Sequence, residues 1–441
     1  MKRVRGTSKN AIPSTPSLTR RRVLALAAGA LGAAAVPALR PASTSAAASP
    51  SKTVSILDVP INDDLTKQAD GVFSKYTQTT GIQVQVDRVP YPEWPDKVIT
   101  LLNSGAPPDT YWADPAKYPE YVEKGWLEPL DDYIAGSKVI KKDEFLPTAW
   151  EKVTYKGKIY GLPKDWSVRG AYYNEDLFNK LKITKVPETV EELKQTALEV
   201  KSKDPSLFGY MWPMKTPDTW MFEGLAPIML PNEAAVVSAD GTRSTFNSPA
   251  MAETYQFFVD IWKAKAAPEQ GMASTNQDLY PLFGGSKVAM MQTGFFVIKA
   301  ILPKIGPDHY NTFVVKGRGG HYGTPMSVSA FSIPAQAKNK DGAWALLEWM
   351  YRPENITAFL VNPSARKPDA PENATRFTDP RYKPFFLAAQ EGGKWWITPN
   401  PGITDQMRIV LETSQAIVLG QKTIPQGLAD GAAAIQKTLK S

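Results

Sequence analysis

Cysteine is absent from all 441 residues of this chain, and histidine occurs only twice, at His309 and His321. Without cysteine there can be no disulfide, no thiolate nucleophile, no cysteine-ligated zinc or iron–sulfur cluster and no lipid-modified cysteine anchor. Two histidines are too few for a histidine-rich metal centre. We therefore expect no metal and no other cofactor, and we expect that the chain is not a lipoprotein.

Two motifs that mark common enzyme classes are also missing. The sequence has no phosphate-binding loop of the Walker type and no G-x-S-x-G nucleophile elbow. The acidic pairs Asp63-Asp64 and Asp131-Asp132 could be imagined as the two carboxylates of a glycosidase. Adjacent acids, however, usually lie on solvated turns or at helix N-termini. The pattern does not favour an enzyme, although a secreted carbohydrate-active hydrolase stays open as an alternative.

The net charge of +7 comes from one end of the chain. Residues 1–48 contain eight of the 51 basic residues and none of the 44 acidic residues, so the remainder is nearly neutral. A surface that binds the phosphate backbone of a nucleic acid is therefore not expected.

The basic N-terminal segment is typical of an export signal. Thr19–Leu24 resembles the twin-arginine pattern, the weakly polar run Val23–Leu39 follows it, and the small residues Ser43–Ala48 offer a cleavage site. The run is rich in alanine and glycine and is broken by Pro37, so its hydrophobicity does not favour a membrane anchor. We predict a signal peptide over residues 1–48 and a soluble periplasmic protein.

After the leader, strand and helix patterns alternate. Short apolar strands are predicted at residues 53–57, 82–86 and 110–112, with amphipathic helices at 64–79 and 95–104 between them. This order predicts an α/β fold with a mostly parallel sheet and helices on both faces. Longer helical patterns continue through the second half of the chain, and the length favours two lobes.

Aromatic and acidic side chains near predicted strand ends form the candidate site. Ligands of open α/β sheets bind beyond the carboxyl ends of the strands. A sugar suits such a site, because its C–H faces pack on rings while its hydroxyl groups bind carboxylates. A polyamine would suit it through cation–π contacts, and the nearby Lys164 and Arg169 leave an anionic sugar derivative open. The candidates are Asp58, Glu93, Asp114 and Asp165 among the acids, and Trp112, Trp166, Trp212, Trp220, Phe296 and Tyr322 among the aromatics.

Five segments, in order along the chain, resemble the family 1 extracellular solute-binding proteins of ABC importers, which maltose-binding protein exemplifies. The fourth departs from the family pattern, with Val190 in place of a tryptophan. Each segment alone is a weak signal, whereas five in the family's order behind an export leader are a strong one. The segments are Phe73–Val86, Leu101–Leu130, Tyr155–Leu177, Val186–Glu192 and Leu282–Gly294.

The resemblance implies a two-lobed α/β fold of the type II periplasmic-binding-protein class, with a hinged cleft. Residues 53–166 plus 320–365 would form one lobe, and 167–319 plus 366–441 the other. The resemblance places six of these candidates at the cleft, namely Trp112, Asp114, Trp166, Trp212, Trp220 and Phe296. It also places Tyr322 and Gly323 at a return crossing.

The implied function is binding rather than catalysis. We expect a monomer that captures a sugar or sugar derivative and delivers it to the transmembrane subunits of an ABC permease. A non-sugar solute such as a polyamine stays open as the ligand.

Overall fold

The computed structural model describes residues 52–439, except 61, 307, 308, 318, 375, 376 and 396. The predicted leader, residues 1–48, lies outside them. In this part of the chain, no helix has both the length and the apolar character needed to span a bilayer. The strands are β1 Thr53–Asp58, β2 Gln83–Arg88, β3 Thr110–Ala113, β4 Thr154–Tyr155, β5 Lys158–Ile159, β6 Leu162–Asn174, β7 Phe208–Met211, β8 Val288–Gly294, β9 Tyr310–Phe313, β10 Thr324–Ser332 and β11 Gly393–Lys394.

The helices surround these strands. Short 3₁₀ turns lie at Pro115–Lys117, Lys142–Glu144, Glu269–Ala273, Thr357–Phe359 and Pro380–Tyr382, and a π-helical turn at Trp220–Leu225. The α-helices are α1 Asp63–Thr80, α2 Trp94–Asn103, α3 Tyr118–Glu123, α4 Asp131–Gly136, α5 Pro147–Lys152, α6 Glu175–Lys180, α7 Val190–Lys203, α8 Pro217–Thr219, α9 Ala226–Met229, α10 Pro249–Lys263, α11 Asn276–Gly284, α12 Phe296–Ala300, α13 Leu302–Ile305, α14 Lys340–Met350, α15 Pro353–Ile356, α16 Pro371–Ala374, α17 Lys383–Gly392, α18 Ile403–Val418 and α19 Ile424–Thr438.

The local chemistry of the first helix explains its limits. The Asn62 side chain caps the N-terminus by accepting a hydrogen bond from the Leu65 amide at 2.9 Å. Asp63 and Asp64 lie in the first turn, where the helix dipole favours negative charge. The helix ends at Gly81, whose φ of 73° is in the left-handed region. The α/β alternation predicted for this part of the chain is confirmed. The acidic pair Asp63-Asp64 lies at the N-terminus of a helix.

The strands join in the order β2-β1-β3-β10-β6-β8-β7, with β9 beside β6 and β11 beside β10. The pairs at the two ends are parallel: β1 with β2 and β3, and β7 with β8. The middle is antiparallel, because β10 pairs with β3 and β6, and β6 with β8. The prediction of a mostly parallel sheet is therefore wrong for the middle, where two long strands carry the chain across in opposite directions.

The hydrophobic cores divide the molecule into two bodies. One core is built from residues between 54 and 162 and between 328 and 365, and we call this body lobe 1. The second body, lobe 2, contains two clusters, formed almost entirely by residues between 168 and 315 and between 382 and 435. Strand β6 begins in lobe 1 and ends in lobe 2, so it connects the two cores directly.

Trp220 is a core residue of lobe 2, and its removal should be costly. Its side chain is fully buried, its ring centroid is 5.0 Å from that of Phe258, and its indole nitrogen donates to Ser414 Oγ at 2.9 Å. We expect Trp220→Ala to lower the free energy of unfolding by about 3–5 kcal/mol, because it leaves a large cavity. Urea unfolding followed by fluorescence measures this loss.

Leu419→Ala is the control, because Leu419 is 46% exposed and its truncation should change the stability by less than about 0.5 kcal/mol. A loss below about 1 kcal/mol for Trp220→Ala would contradict the assignment of this ring to the core.

Candidate functional site

A cavity of about 170 Å³ lies between the two lobes. Such a volume accommodates on the order of ten water molecules, which corresponds to a small organic solute. Its wall combines rings, carboxylates and two cationic side chains. The lining residues with polar or aromatic side chains are Asp58, Thr66, Tyr91, Trp112, Asp114, Lys164, Asp165, Ser167, Arg169, Phe222, Glu223, Asn276, Gln277, Tyr280, Phe296, Ser327, Ser329, Phe331, Phe359 and Asn362.

The lobe 1 wall is built at the ends of parallel strands. Asp58 is the last residue of β1, and Asp114 directly follows β3. Because β1 and β3 are parallel, their carboxyl ends meet at one edge of the sheet and bring both acids to the cavity. Trp112 lines the same wall, and its ring packs edge-to-face against Trp94 at 4.8 Å between centroids. That packing fixes the ring before any solute arrives.

Strand β6 supplies the floor of the cavity, and a β-bulge decides which of its side chains face inward. Asp165 pairs with Ser329 and Pro163 with Ala330, so Lys164 is an extra residue on β6. Consecutive side chains of a regular strand point to opposite faces, whereas a bulge re-aims one of them. Both Lys164 and Asp165 therefore line the cavity, and Ser167 and Arg169 follow at alternate positions.

The lobe 2 wall depends on two irregular pieces of backbone. Phe222 and Glu223 lie in the π-helical turn, a type of turn that is often found at functional sites. Phe296 begins α12 two residues after Gly294, the last residue of β8. A Cβ at Gly294 would lie 2.6 Å from the Phe296 ring and 3.0 Å from Arg169 Nη1, so only glycine permits this approach.

The cavity contains more acid than base. Arg169 Nη2 lies 2.7 Å from Glu223 Oε1, and Lys164 Nζ lies 3.3 Å from Asp165 Oδ2. Both pairs are buried. Asp58 and Asp114 are two further carboxyl groups of the wall. Four carboxyl groups therefore face two cationic groups.

Burial raises the pKa of the two further acids, Asp58 and Asp114. Desolvation raises the pKa of Asp58, and the charge of Lys164 offsets part of this shift. Desolvation likewise raises the pKa of Asp114 to about 6, although Lys117 and a hydrogen bond from the Ala116 amide act in the opposite direction. The Asp114 carboxyl therefore changes its protonation state near pH 6.

Several buried polar atoms of the wall have no hydrogen-bond partner in the described protein. They are Asp165 Oδ1, Arg169 Nε, Glu223 Oε2 and Asn362 Oδ1, together with Asp165 Oδ2, which has the ion-pair contact with Lys164 but no hydrogen bond. All four side chains line the cavity, and each is less than 9% exposed. Leaving such an atom unsatisfied costs about 1–3 kcal/mol. The arrangement is therefore suited to a solute that both donates and accepts hydrogen bonds.

The structure brings five of the sequence candidates together in this wall: Asp58, Trp112, Asp114, Asp165 and Phe296. They come from three strands and the start of one helix, which the topology collects at one place. Their roles toward a ligand stay predictions.

Three tryptophan candidates lie elsewhere. Trp166 follows Asp165 on β6 and therefore points to the other face, where it packs against Phe295 and Phe386 at 5.6 and 5.8 Å between centroids. Trp212 is 2% exposed, and Trp220 is fully buried, both within the lobe 2 core. The structure does not place these rings in the cavity wall.

The remaining three candidates also lie outside the wall. Glu93 is exposed at the N-terminus of α2. Tyr322 and Gly323 line a separate small space, where Lys316 Nζ is 4.8 Å from the Tyr322 ring centroid. A Cβ at Gly323 would lie 2.5 Å from the backbone of Leu230, so this glycine serves close backbone packing.

Sequence reasoning missed Tyr91, Glu223 and Asn362. Tyr91 lies in the loop after β2, at the same sheet edge as Asp58 and Asp114, so the parallel order of the strands was a usable signal. Glu223 reaches the cavity through a π-helical turn, and no sequence pattern marks such a turn. Asn362 reaches it in the irregular segment after residue 359.

Comparison with known proteins identifies this architecture. Residues 62–357, about two thirds of the chain, match the model of the bacterial extracellular solute-binding protein family. The chain is a bacterial extracellular solute-binding protein. The family resemblance drawn from the five segments is thereby confirmed, and the family is one of binding proteins.

Two relatives of this solute-binding protein are 28% and 24% identical to it. A Brucella abortus protein described as a binding protein is 28% identical over 292 residues, which cover 65% of this chain and 68% of the relative. The maltotriose-binding protein of Pyrococcus abyssi is 24% identical over 291 residues, which cover 63% and 56%.

The solved structure of an ABC transporter solute-binding protein from Thermotoga lettingae, bound with α-D-tagatose, is 23% identical. Its TM-score is 0.77, with coverage of 88% of this chain and 100% of that one. This likeness confirms the two-lobed fold of the solute-binding protein.

Asp114 should make the stability of the solute-binding protein depend on pH. Its folded pKa of about 6 lies above the unfolded value of about 3.9, so the folded state binds more protons between these limits. This contribution is fully present below pH 4 and is lost as the pH rises through 6. We expect the stability of the wild type relative to Asp114→Asn to fall from pH 4 to 6 and then to level off, as measured by urea unfolding.

Asp204→Asn is the matched control. Hydrogen bonds from Ser206 and Lys180 lower the pKa of Asp204 to about 2, so its contribution is present above pH 4 and disappears only in stronger acid. Its stability difference should be flat from pH 5 to 7. A flat difference for Asp114→Asn as well would show that Asp114 is hydrated in the folded state.

Proposed function

We propose that this protein is the substrate-binding component of an ABC importer and that it captures a sugar or sugar derivative in the cavity between its lobes. Binding requires no covalent step, so we propose no enzymatic activity. The names of two relatives agree with a carbohydrate ligand, since one is a maltotriose-binding protein and another was solved with α-D-tagatose.

The set of unsatisfied buried polar atoms beside aromatic rings carries this proposal. Hydroxyl groups donate and accept hydrogen bonds, so they match both the carboxylate oxygens of Asp165 and Glu223 and the N–H of Arg169. The rings of Trp112 and Phe296 offer apolar surface for the C–H faces of a sugar. An apolar solute would leave the polar atoms unsatisfied, at a cost for each of them.

Contacts across the lobes support a mechanism of closure. Lys117 Nζ of lobe 1 lies 2.8 Å from Asp218 Oδ1 of lobe 2, and the Thr404 hydroxyl of lobe 2 donates to Glu120 Oε2 of lobe 1 at 2.5 Å. These contacts exist only when the lobes are together. A ligand that touches both walls shifts the population toward this closed arrangement.

The finer assignments form part of the same proposal. The lobes divide at 53–166 plus 320–365 and 167–319 plus 366–441, in agreement with the separation of the hydrophobic cores. The closed protein is a periplasmic monomer that presents its ligand to the transmembrane subunits of the permease. The twin-arginine pattern within residues 1–48 supports export, and the absence of cysteine excludes a lipid-modified cysteine.

A thermal-shift screen of the protein lacking residues 1–48 tests the proposal. The panel contains monosaccharides, disaccharides, polyols, sugar acids and polyamines. A ligand at 100 times its Kd should stabilise the protein by about 2.7 kcal/mol. Small-angle X-ray scattering with the best compound should show a smaller radius of gyration than without it.

Each contrary outcome has a definite meaning. If only a polyamine stabilises the protein, the carbohydrate assignment is wrong. If a glycan is cleaved, as detected by chromatography of the incubated sugar, the protein is an enzyme. If no compound stabilises the protein or contracts it, the solute-capture proposal fails.

The Lys117–Asp218 pair generates a second prediction about closure. Lys117 is 1% and Asp218 14% exposed, so Asp218→Asn leaves a buried ammonium without its partner in the closed state alone. In the open state water solvates Lys117. We expect the affinity for the compound found in the screen to fall by at least about tenfold, which corresponds to about 1.4 kcal/mol.

Asp430→Asn is the matched control for that measurement. Asp430 pairs with Lys422 at 2.8 Å on the exposed surface within lobe 2, so its loss should leave the affinity unchanged. Isothermal titration calorimetry measures both variants. Equal affinities for Asp218→Asn and the wild type would show that this ion pair does not contribute to closure.

A further inference from the structure

The buried ion pair Arg169–Glu223 occupies the lobe 2 wall of the cavity and is held from several sides. Arg169 Nη1 donates to Ser167 Oγ at 2.9 Å, Nη2 lies 2.7 Å from Glu223 Oε1, and the guanidinium carbon lies 3.6 Å from the Phe222 ring centroid. Arg169 is 6% and Glu223 4% exposed. The orientation of both charged groups is therefore fixed by the protein.

The same two groups each retain a hydrogen-bonding atom without a partner. Arg169 Nε is a donor and Glu223 Oε2 is an acceptor, and both side chains line the cavity. A ligand satisfies both atoms when it presents an acceptor to Arg169 and a donor to Glu223. Two neighbouring hydroxyl groups have this capacity, because each hydroxyl both donates and accepts. A carboxylate on the ligand only accepts, so it cannot satisfy Glu223.

Both cationic side chains of the cavity wall, Lys164 and Arg169, already form ion pairs with carboxylates of the protein. Glu223 contacts Arg169, and Asp165 contacts Lys164 at 3.3 Å. Asp58 and Asp114 add two further carboxyl groups to the wall. A ligand carboxylate would therefore enter a site in which acidic groups outnumber basic groups by four to two. Each ionised carboxylate of the wall repels the carboxylate of a ligand, and both cationic groups already contact carboxylates of the protein.

We propose that Glu223 is a specificity-determining residue: it accepts a hydrogen bond from a hydroxyl group of an uncharged polyhydroxylated ligand and excludes the carboxylate-bearing form of the same compound. This inference rests on the proposed capture of a sugar or sugar derivative. The proposed ligand is therefore a neutral compound. An anionic sugar derivative, which the presence of Lys164 and Arg169 in the sequence allowed as an alternative, is disfavoured.

Calorimetry with matched ligand pairs at pH 7.5 tests the inference. The pairs are D-glucose, D-galactose and D-mannose with their uronic acids, together with the neutral compound that gives the largest thermal shift and its oxidised acid. At this pH the Asp114 carboxyl, with its pKa of about 6, is ionised. We expect the neutral member that binds to do so at least about tenfold more tightly than its acid.

The isosteric variant Glu223→Gln separates specificity from structure. It keeps the shape of the side chain, removes its charge and offers an N–H to a carboxylate. We expect the affinity ratio of the neutral compound to its acid to fall to within about threefold. A merely structural role would lower both affinities equally and leave the ratio unchanged.

Glu372→Gln is the matched control. Glu372 is 3% exposed, lies 3.5 Å from Arg366 and does not line the cavity, so this variant should keep the wild-type ratio. If Glu223→Gln does not fold, the wild-type ratio together with the ratio for Asp58→Asn tests whether cavity carboxylates exclude acids.

The outcomes distinguish the inference from the function on which it rests. An acid that binds the wild type as tightly as its neutral partner overturns the selectivity and leaves solute capture intact. An unchanged ratio in Glu223→Gln overturns the role of Glu223. If none of the pairs binds, the inference and the proposed carbohydrate function fail together.

Discussion

The thirteen residues Leu162–Asn174 run as one strand from the core of lobe 1 into the core of lobe 2. The first half of this strand pairs with β10, and the second half with β8 and β9. A strand that is hydrogen-bonded in both halves cannot be displaced from either lobe without loss of a ladder. Polar side chains near its middle are therefore held at the junction of the two lobes, next to the cavity.

This constraint explains how the chain tolerates so many buried polar groups. Asp165, Arg169 and Glu223 have atoms without a hydrogen-bond partner in the described protein, and such an atom costs about 1–3 kcal/mol unless water or a ligand satisfies it. Relaxation would require β6 to bend or the π-helical turn to rearrange, and both elements are packed within hydrophobic cores. The cores thus hold these polar groups at the cavity, where a solute that donates and accepts hydrogen bonds can satisfy them.

The sequence allowed the α/β class and the parallel end of the sheet formed by β1, β2 and β3 to be predicted, because hydrophobic periodicity and capping residues are local signals. Asp58 and Asp114 could also be placed, since both follow strands whose parallel order collects them at one edge. Trp212 and Trp220 could not be separated from Trp112 by the same reasoning. A large apolar ring suits a core and a sugar site equally, and only the packing of distant segments decides between them.

Other parts of the site depend on irregular backbone that no periodic pattern reveals. The bulge at Lys164 turns the side chains of Lys164 and Asp165 toward the cavity. Because side chains alternate along the strand, the next residue, Trp166, points to the opposite face. The π-helical turn likewise brings the side chain of Glu223 to the cavity wall. Sequence reasoning assumes regular strands and helices, so it cannot predict which side chains face the cavity at these positions. At these positions an irregular backbone directs polar side chains toward the cavity.

Closure and the chemistry of the cavity are linked through Lys117. Its ammonium group contacts Asp218 on the opposite lobe and interacts with Asp114, which lines the cavity. In the open arrangement that we propose, water would reach all three groups and would remove the burial that raises the pKa of Asp114. When the lobes meet, Asp114 either keeps a proton or relies on Lys117 and a ligand hydroxyl for stabilisation. A ligand that donates a hydrogen bond to Asp114 therefore stabilises the same arrangement that the Lys117–Asp218 contact requires. The proposed recognition of the solute and the proposed approach of the lobes therefore depend on the same charged groups, Lys117, Asp218 and Asp114.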